Sequence, residues 1–469
     1  MRLLDTDTRY FDGEVPGIPT LINQWGAMIN ILDFCLVEGS PEKPVLSIST
    51  VDDTSYSNIY WISTIYLNKN HGFKKDLSVV EIAGSLEEAY NKCHRVQDVS
   101  ENYITIAFDK LFYPEKPVDT LTDENITIKL APLGYIKVFE SSNKAVYRNS
   151  VLGDNPCFLR VDNDCPVGYD PTWGKFARVS IIDNMEYLDD YKYRSGRVKA
   201  PSTLEDYEEP EESIGVGLLG SYGSSKWYQR LDYNGSYLYE NKIPANSGPA
   251  DWDLIGDNKT FYFFPAILDG SASSTRQSMR ASYCFGEYTD INSRSNINNH
   301  MLCCHYHKEN VKVDFGYYNS NPSYIERANN FCRTNSLNGN FILNPENTAT
   351  YLNSKSYNFS FETLSPPNSI SGDSTVNFKT DPLNTILNLF PMYMKTDTKI
   401  LKGVARGYYF LGNDIKEVEK YNITFNHRQV FKNFLNNSST HFVLLSSSVG
   451  KSQSNVFSTR IAFKLNNWG

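Results

Sequence analysis

Three runs of sequence decide the fold class: ITIKLAPLGYIKVFESSNKAVYRNS (126–150), CFLRVDNDC (157–165) and FARVSIIDNMEYLDD (176–190). Each run is apolar at alternate positions and bounded by Gly, Pro, Asn or Asp, which predicts consecutive β-strands. Alternation puts Leu159 and Val161 on one face of the second run. We expect a sheet with an apolar inner face and an outer face that carries charged residues: Arg148, Arg160, Asp162, Arg178 and Asp183. We interpret these charges as cross-strand pairs, worth ~0.2–1 kcal/mol per pair, and not as an active site.

The composition excludes several classes of protein. The 469 residues carry a net charge of −9, and the basic residues are scattered, whereas a nucleic-acid binder would concentrate them in a stripe. No apolar run approaches the length of a membrane span. The first residues lack the basic and apolar regions of a secretion signal. Eight cysteines at irregular spacings favour reduced thiols in a reducing cytoplasm over a disulfide framework.

One helix is predicted near the N-terminus. Apolar residues recur at helical spacing over residues 20–37, before Gly39, and this pattern favours a helix over a strand. The apolar positions are Leu21, Trp25, Met28, Ile29, Leu32, Cys35 and Leu36. Such a helix docks a partner or packs on its own domain, and we favour packing.

The segment between His71 and Phe108 combines glycine turns with short apolar runs. Gly72 and Gly84 turn the chain, and a small core is expected from Val80, Ile82, Val96, Val99, Ile104 and Ile106. This segment resembles a small barrel-like module that is frequent in bacteriophage tail and fibre proteins. It departs from the usual pattern at residues 75–78, which replace a Gly-Asp turn, and at Lys92, where Gly is typical.

Further motifs extend the resemblance over most of residues 20–290. They are the end of the helix (31–37), residues 143–148, 159–162 and 177–179, the FYFF run (261–264) and the FGE run (285–287). In this order they are similar to a family of phage virion proteins of the tail region. The resemblance implies a structural virion component and carries no catalytic residues.

We therefore predict a mainly β fold of antiparallel sheets or a sandwich, with a small barrel-like inserted module and one N-terminal helix. The expected organisation is an N-terminal arm and helix (1–44), the module (45–125), a main β domain with long loops (126–365) and a C-terminal β domain (366–469). Residues 364–374 are the best candidate linker. Contact surfaces are expected at residues 1–19, in the acidic loop 199–213 and in the Asn-rich loops within 319–347.

Two motifs mimic nucleotide sites without their context. Gly215, Gly217 and Gly220 spell GxGxxG, but an acidic loop precedes them instead of a buried strand. Residues 449–452 end like a P-loop, yet the motif requires Gly where the chain has Leu445. We interpret both as turns.

One cluster could ligate a metal. If His300 to His307 form a strand, Cys303, His305 and His307 share a face and present a soft three-ligand set, with His300 and Cys304 nearby. No CxxC pair supports such a site, so we favour a strand with buried thiols and satisfied histidines. We assign no metal, cofactor or catalytic residue.

Aromatic and acidic residues raise two further alternatives. The aromatic rings within 222–252 could stack on sugars, although they more often form the core and rim of a β domain; they are Trp227, Tyr228, Tyr233, Tyr237, Tyr239 and Trp252. The carboxylate pairs Asp162/Asp164 and Asp251/Asp253 could serve a glycosidase, but sequence does not give their separations in space.

The resemblance thus implies a non-enzymatic, multi-copy structural protein of the virion tail region (baseplate, tail tip, collar or fibre-attachment component), assembled in the bacterial host cytoplasm. Its expected partners are other virion proteins and copies of itself, with no nucleic acid and no membrane span. The alternatives are a capsid decoration protein and a host-surface glycan-binding or depolymerase protein.

Overall fold

The computed structural model describes part of the chain. The described residues are 3–15, 17–54, 59–119, 125–150, 158–165, 175–182, 185–188, 225–229, 232–234, 237–239, 248–269, 279–280, 283–290, 299–305, 328–333, 339–340, 389–395, 401–411, 428–435, 438–452 and 455–468. The acidic loop 199–213, the GxGxxG run, the linker 364–374, Asp183 and His307 lie outside them.

Within these residues the chain forms one short helix and 27 strands, so the mainly β prediction is confirmed. The elements are β1 (Arg9–Asp12), α1 (Ala27–Leu32), a π-helical segment (Asp33–Glu38), β2 (Lys43–Asp52), β3 (Tyr60–Leu67), β4 (Val79–Ala83), β5 (Cys93–Arg95), β6 (Asp98–Val99), β7 (Tyr103–Asp109), β8 (Thr127–Leu130), β9 (Ile136–Ser141), β10 (Lys144–Arg148), β11 (Phe158–Asp162), β12 (Phe176–Ile182), β13 (Ser225–Tyr228), β14 (Asp232–Asn234), β15 (Tyr237–Tyr239), β16 (Trp252–Gly256), β17 (Thr260–Asp269), β18 (Met279–Arg280), β19 (Tyr283–Asp290), β20 (Asn299–His305), β21 (Ala328–Arg333), β22 (Gly339–Asn340), β23 (Leu389–Lys395), β24 (Leu401–Leu411), β25 (Gln429–Leu435), β26 (Ser438–Ser452) and β27 (Asn455–Lys464). None of the described helices is long and apolar enough to cross a membrane.

The small sheet has seven antiparallel strands in the order β5-β4-β8-β2-β3-β7-β6 and curls as a half-barrel. Its interior is as predicted: Val80, Ile82, Val96, Ile104 and Ile106 are at most 1% exposed, and Val99 is half-buried. The last strand, β8, begins beyond residue 125, where we expected the module to end.

A glycine turns the chain at the end of β4, as the sequence predicts. Gly84 follows β4 with a φ of 85°, a conformation that glycine adopts without steric cost. A Cβ at this position would lie 2.5 Å from the carbonyl oxygen of Asn125, so the two chain segments approach too closely for any other residue.

The large sheet branches. One path runs β1-β16-β17-β19-β20-β21, and a second runs β9-β10-β11-β12-β13 and meets β20. A third path leaves β19 through β24 and β27 to β26 and β25. The described strands beyond residue 366 therefore share a sheet with the main β domain. Part of the region expected as Asn-rich loop, residues 328–333, is strand β21.

The helix is shorter than predicted. Residues 20–26 are not helical, because Leu21 forms a β-bridge with Ala250 and Gly26 has a φ of 86°. From Ala27 onward the apolar positions Met28, Leu32, Cys35 and Leu36 are all buried, as packing on the same chain requires. The α-helix gives way to the π-helical segment at Asp33, and this segment ends at Glu38, before Gly39, as expected from the sequence.

The outer face of the predicted sheet is not exposed, which corrects our expectation. The inner face is buried as predicted, with Leu159 and Val161 at 0% exposure, but Arg160 and Asp162 are only 5% and 4% exposed. A second small core covers this face; it consists of Val146, Phe158, Ile182 and Met185, with Leu188 packed against it. Both faces of β11 are therefore interior.

Cross-strand pairing of the charges is nevertheless confirmed. Asp162 lies opposite Lys144 on one side and Arg178 on the other, and its Oδ2 is 2.8 Å from Arg178 Nη2. Burial raises the pKa of Asp162, but Arg178, Arg160 and Lys144 together outweigh burial and hold the pKa below its ordinary value. Arg148 lies opposite Phe158 and not opposite an acid.

Much of the N-terminal segment is buried, although Asp7, Gly13 and Glu14 are exposed, so its role as a contact surface stays a prediction. Strand β1 pairs with β16 over Arg9–Asp12, and Phe11 is 1% exposed. Leu3, Thr8 and Tyr10 are buried as well. Alternating apolar residues in this segment are few, so burial follows from its place between other strands and not from its own pattern.

Candidate functional site

The densest group of charges in the described structure is a junction of four chain segments. We call it the charged junction; it consists of Tyr10, Asp12, Glu14, Lys74, Asp251, Asp253 and Arg428. Strands β1 and β16 place Asp12 directly opposite Asp253. Two carboxylates that share a cross-strand pair would repel, so the pair requires cations from elsewhere.

Arg428 is the central cation. Its Nε lies 2.7 Å from Asp253 Oδ1, its Nη1 lies 2.5 Å from Glu14 Oε1, and its Nη2 lies 2.8 Å from Asp251 Oδ1. Its backbone has a φ of 65°, an uncommon conformation for a residue other than glycine. Burial lowers the pKa of Arg428, but Asp253, Tyr10, Asp12 and Asp251 raise it well above its ordinary value.

Lys74 supplies the second cation from the loop before β4. Its Nζ lies 2.5 Å from Asp12 Oδ2 and 2.6 Å from Glu14 Oε2. Asp12 and Asp253 are fully buried, whereas Glu14 is mostly exposed. The hydrogen bond from Lys74 lowers the pKa of Glu14 and outweighs the effect of burial.

Tyr10 completes the junction. Its hydroxyl donates a short hydrogen bond to Asp253 Oδ1. Burial, followed by the charges of Asp253 and Asp12, raises the pKa of Tyr10 well above its ordinary value. The phenol therefore keeps its proton at neutral pH and acts as a fixed donor. Each of the two cations bridges several of the four carboxylates, and the phenol adds one donor, an arrangement suited to joining strands.

A second arginine, which is buried, also contacts the N-terminal segment. Arg95, on β5, is 2% exposed and donates to five backbone carbonyls. Its Nε lies 3.0 Å from the carbonyl oxygen of Asp5, and its Nη2 lies 3.2 Å from that of Leu465. The remaining acceptors are the carbonyls of Asp76, Leu77 and Thr8. Burial lowers the pKa of Arg95 to about 10, so it remains charged at neutral pH.

The two ends of the described chain meet beside Arg95. The amide of Asn467 donates to Asp5 at 2.8 Å, and Thr8 Oγ1 donates to the carbonyl oxygen of Asn466 at 3.1 Å. Trp468 packs over Gly407, where a Cβ would lie 2.1 Å from the indole ring. The small sheet, the N-terminal segment and the last strand are thus held at one place.

An open cleft of about 580 Å³ lies beside the helix. Its polar wall includes Asp33, Glu38 and Lys129. Asp33 is already engaged, because it accepts hydrogen bonds from Tyr147 Oη at 2.8 Å and Lys137 Nζ at 3.2 Å. The carboxylate therefore ties the helix to β9 and β10.

The residues considered as metal ligands lie on β20, as the favoured strand interpretation requires, except for His307, which lies outside the described residues. Cys303 is 1% exposed and its Sγ lies 2.9 Å from Cys284 Sγ on β19. His300 is also buried, and its ring packs against Phe285. The described residues contain no group of three or more His, Cys, Asp and Glu residues arranged to hold a metal ion.

The aromatic residues considered for sugar stacking divide into two groups. Trp227, Tyr228 and Trp252 are 0%, 3% and 0% exposed, so they are core residues. Trp227 stacks on Tyr283 with ring centroids 5.7 Å apart, and its Nε1 donates to the carbonyl oxygen of Cys303. The side chains of Tyr233, Tyr237 and Tyr239 lie outside the described part of the structure.

The candidate carboxylate pairs belong to ion pairs. Asp162 and Asp164 both approach Lys144, at 3.7 and 3.6 Å, and Asp251 and Asp253 both bind Arg428. The P-loop-like run is not the turn that we expected but the end of β26, which pairs antiparallel with β27 and places Val449 opposite Phe457. A strand follows this run, where a phosphate site would need a helix.

Sequence reasoning missed both arginine sites. Arg428 and Asp253 are 175 residues apart in the chain, and Arg95 and Leu465 are 370 apart. No local spacing links such residues. The weak hint available was the Asp251/Asp253 pair, because two acids that alternate on a strand share one face and need a cation.

No family model, curated protein or solved structure matches the chain.

Proposed function

We propose that this protein is a structural component of a bacteriophage virion, placed in the tail region, present in many copies and without enzymatic activity. The proposal rests on the ordered motifs that resemble tail-region proteins. It is supported by where those motifs lie in the fold.

The observation that carries the proposal is a continuous core through all the resembling motifs. One cluster of buried residues contains Val80 and Ile82 of the small sheet, Leu32 of the helix, and Leu159 and Phe261 of the large sheet. Motifs that lie apart in sequence thus form a single packed interior. We expect such a common interior if the motifs resemble those of the family because they build the same scaffold.

The His71 motif has a scaffold role as well. His71 Nδ1 accepts a hydrogen bond from the amide of Phe73 at 3.1 Å, which leaves Nε2 to donate to the carbonyl oxygen of Ser100 at 2.8 Å. The ring stacks on Phe73 with centroids 5.3 Å apart. The histidine therefore holds the loop before β4 to the loop before β7.

The two arginine sites fit a protein that is built into a particle. A component under mechanical load benefits when its separate sheets cannot open, and Arg95 and Arg428 tie the small sheet, the N-terminal strand and the last strands together. Many copies joined by symmetry would then contact neighbours through loops and edges.

Mass spectrometry of purified particles tests the proposal. Virions of the phage that encodes the chain are separated on a density gradient, and the peptide intensity of this protein is compared with that of the major capsid protein across the fractions. We expect a constant ratio through the particle peak. A protein that is absent from the peak, or spread across the gradient like a host contaminant, would refute the proposal.

Labelling distinguishes the tail from the capsid. Antibodies against the recombinant protein, viewed on negatively stained particles, should mark the tail region. Marking of the head would replace the proposal with a capsid decoration protein. Cleavage of host-surface polysaccharide by the purified protein would contradict the non-enzymatic assignment.

A further inference from the structure

Two cysteines face each other across adjacent antiparallel strands. Cys284 on β19 lies directly opposite Cys303 on β20, and the two sulfurs are 2.9 Å apart. Both thiols are reduced in this structure and buried, at 0% and 1% exposure.

The geometry of this pair is close to that of a disulfide. Opposed residues in an antiparallel pair have Cα atoms about 4.5 or 5.5 Å apart, and disulfides span about 4.4–6.8 Å. The sulfur separation exceeds the roughly 2.05 Å of an S–S bond by less than about 1 Å. Side-chain rotation alone can therefore bring the sulfurs to bonding distance, with no change in strand register.

The surrounding backbone is held in place. The carbonyl of Cys303 accepts a hydrogen bond from Trp227 Nε1 at 2.7 Å, and the hydroxyl of Tyr283, next to Cys284, accepts one from the amide of Tyr228 at 2.8 Å. Both strands also pair with further neighbours, β17 and β21. The two sulfurs are consequently held at short range.

We propose that Cys284 and Cys303 form an oxidisable dithiol that closes to an intramolecular disulfide with hydrogen peroxide. The thiolate of one cysteine attacks peroxide and becomes a sulfenic acid, with release of hydroxide. The second thiol then attacks this sulfur, the S–S bond forms and water leaves. In total, two thiols and one peroxide give one disulfide and two waters.

Burial sets which oxidant can act. A small molecule such as peroxide is suited to a buried pair, whereas a bulky disulfide such as oxidised glutathione must form a mixed disulfide within the core. Burial slows the first step, but the second is intramolecular with the partner sulfur already adjacent. The inference rests on the strand geometry and is independent of the proposed function.

Peptide mapping of the whole, unmodified protein tests the proposal. The folded protein is treated with peroxide at rising dose until the exposed Cys165 is oxidised, then denatured, alkylated and digested. We expect a linked peptide that joins Cys284 to Cys303, with a mass lower by about two hydrogens and reversible by dithiothreitol. Recovery of both cysteines alkylated, or of either as an irreversible sulfinic acid, would overturn the proposal.

Matched variants give a second readout. Cys284→Ala and Cys303→Ala should each abolish the link, and the remaining sulfur should progress to sulfinic acid because no resolving thiol is present. Cys35→Ala removes an equally buried thiol outside this pair and should leave the link unchanged. Loss of the link in Cys35→Ala would also contradict the assignment.

Discussion

Two arginines, the half-buried Arg428 and the buried Arg95, both hold the N-terminal segment, but by opposite chemistry. Arg428 binds carboxylates, which raise its pKa, whereas Arg95 binds backbone carbonyls and burial lowers its pKa to about 10. At the first site, the positive charge of Arg428 is balanced by the negative charges of carboxylates. The second places a charge among neutral dipoles that cannot titrate.

The difference determines how each site responds to change. Carboxylates left without Arg428 can take up protons or bind Lys74, so the junction has a way to relieve the loss. The carbonyls left without Arg95 have no such route, and they remain buried acceptors that each cost free energy. We therefore expect Arg95 to contribute more to stability than Arg428, although Arg428 has the stronger ion pairs.

Replacing Arg95 should have the largest effect. Arg95→Met keeps much of the side-chain volume but removes every donor to Asp5, Thr8, Leu77 and Leu465, and should lower the free energy of unfolding by about 5 kcal/mol. Denaturant unfolding at pH 7 measures the loss. Lys75→Met, which removes only an exposed ion pair with Asp98, is the control and should cost less than about 1 kcal/mol. Similar losses in both variants would show that the hydrogen bonds from Arg95 to these carbonyls contribute little to stability.

Replacing Arg428 should cost less and should depend on pH. Arg428→Met leaves Asp12 and Asp253 buried with reduced compensation, and should lower the free energy of unfolding by about 4 kcal/mol at pH 7. The loss relative to the wild type should shrink as the pH falls through the folded pKa of Glu14, because Arg428 helps to lower that pKa and a protonated carboxyl group no longer forms the ion pair. The loss in Arg95→Met should change less with pH, because the hydrogen-bond partners of Arg95 are carbonyls and Asp7 acts on it only through space. Equal behaviour of the two variants would remove the distinction between the sites.

The sequence predicted strands well because their signal is local. Period-two alternation in residues 158–162 and 176–182 identified β11 and β12, and the glycine-bounded runs identified the core of the small sheet. The ends of elements depend on single residues. Gly26, in a left-handed conformation, delays the helix to Ala27, although the apolar pattern begins at Leu21.

Burial of the polar face and the arginine sites could not be predicted in the same way. Alternation assigns Arg160 and Asp162 to a face but does not reveal that Met185 and Leu188 cover that face. The partners of Arg95 and Arg428 come from distant segments, and their register is set by the closing of both sheets. Local pattern thus gives the scaffold, and long-range packing gives the sites that hold it together.

His94, beside Arg95 on β5, should make stability depend on pH by a different route. Burial lowers the pKa of His94 to about 4, and its Nε2 donates to the carbonyl oxygen of Tyr90. The unfolded chain takes up this proton near its ordinary pKa of about 6.5, so stability is full above that value and falls as the pH drops towards 4. This difference between the unfolded and folded pKa of His94 corresponds to about 3 kcal/mol of free energy of unfolding.

Unfolding measured across this window tests the assignment. His94→Gln keeps a donor for the carbonyl of Tyr90 but cannot titrate, so its free energy of unfolding should vary less between pH 6.5 and 4 than that of the wild type. The difference between the two proteins isolates His94 from the carboxylates. An identical slope in both proteins would mean that another group produces the pH dependence.

The smallest predicted effect compares Arg160 with Arg178, which share Asp162. Arg160 is 5% exposed and also donates to the carbonyl oxygen of Leu188, so Arg160→Ala should cost about 2 kcal/mol, whereas Arg178→Ala, at 25% exposure, should cost about 1 kcal/mol. Denaturant unfolding of both variants at pH 7 measures the difference.

Because the pKa of Asp162 is lowered in the folded protein, its contribution to stability is complete above the unfolded value of about 3.9 and is lost as the pH falls through the folded value. The cost of Arg178→Ala should therefore vanish in acid, while Arg160→Ala keeps the part due to Leu188. A larger loss in Arg178→Ala than in Arg160→Ala would contradict the burial of Arg160 and support the exposed outer face that simple alternation predicts.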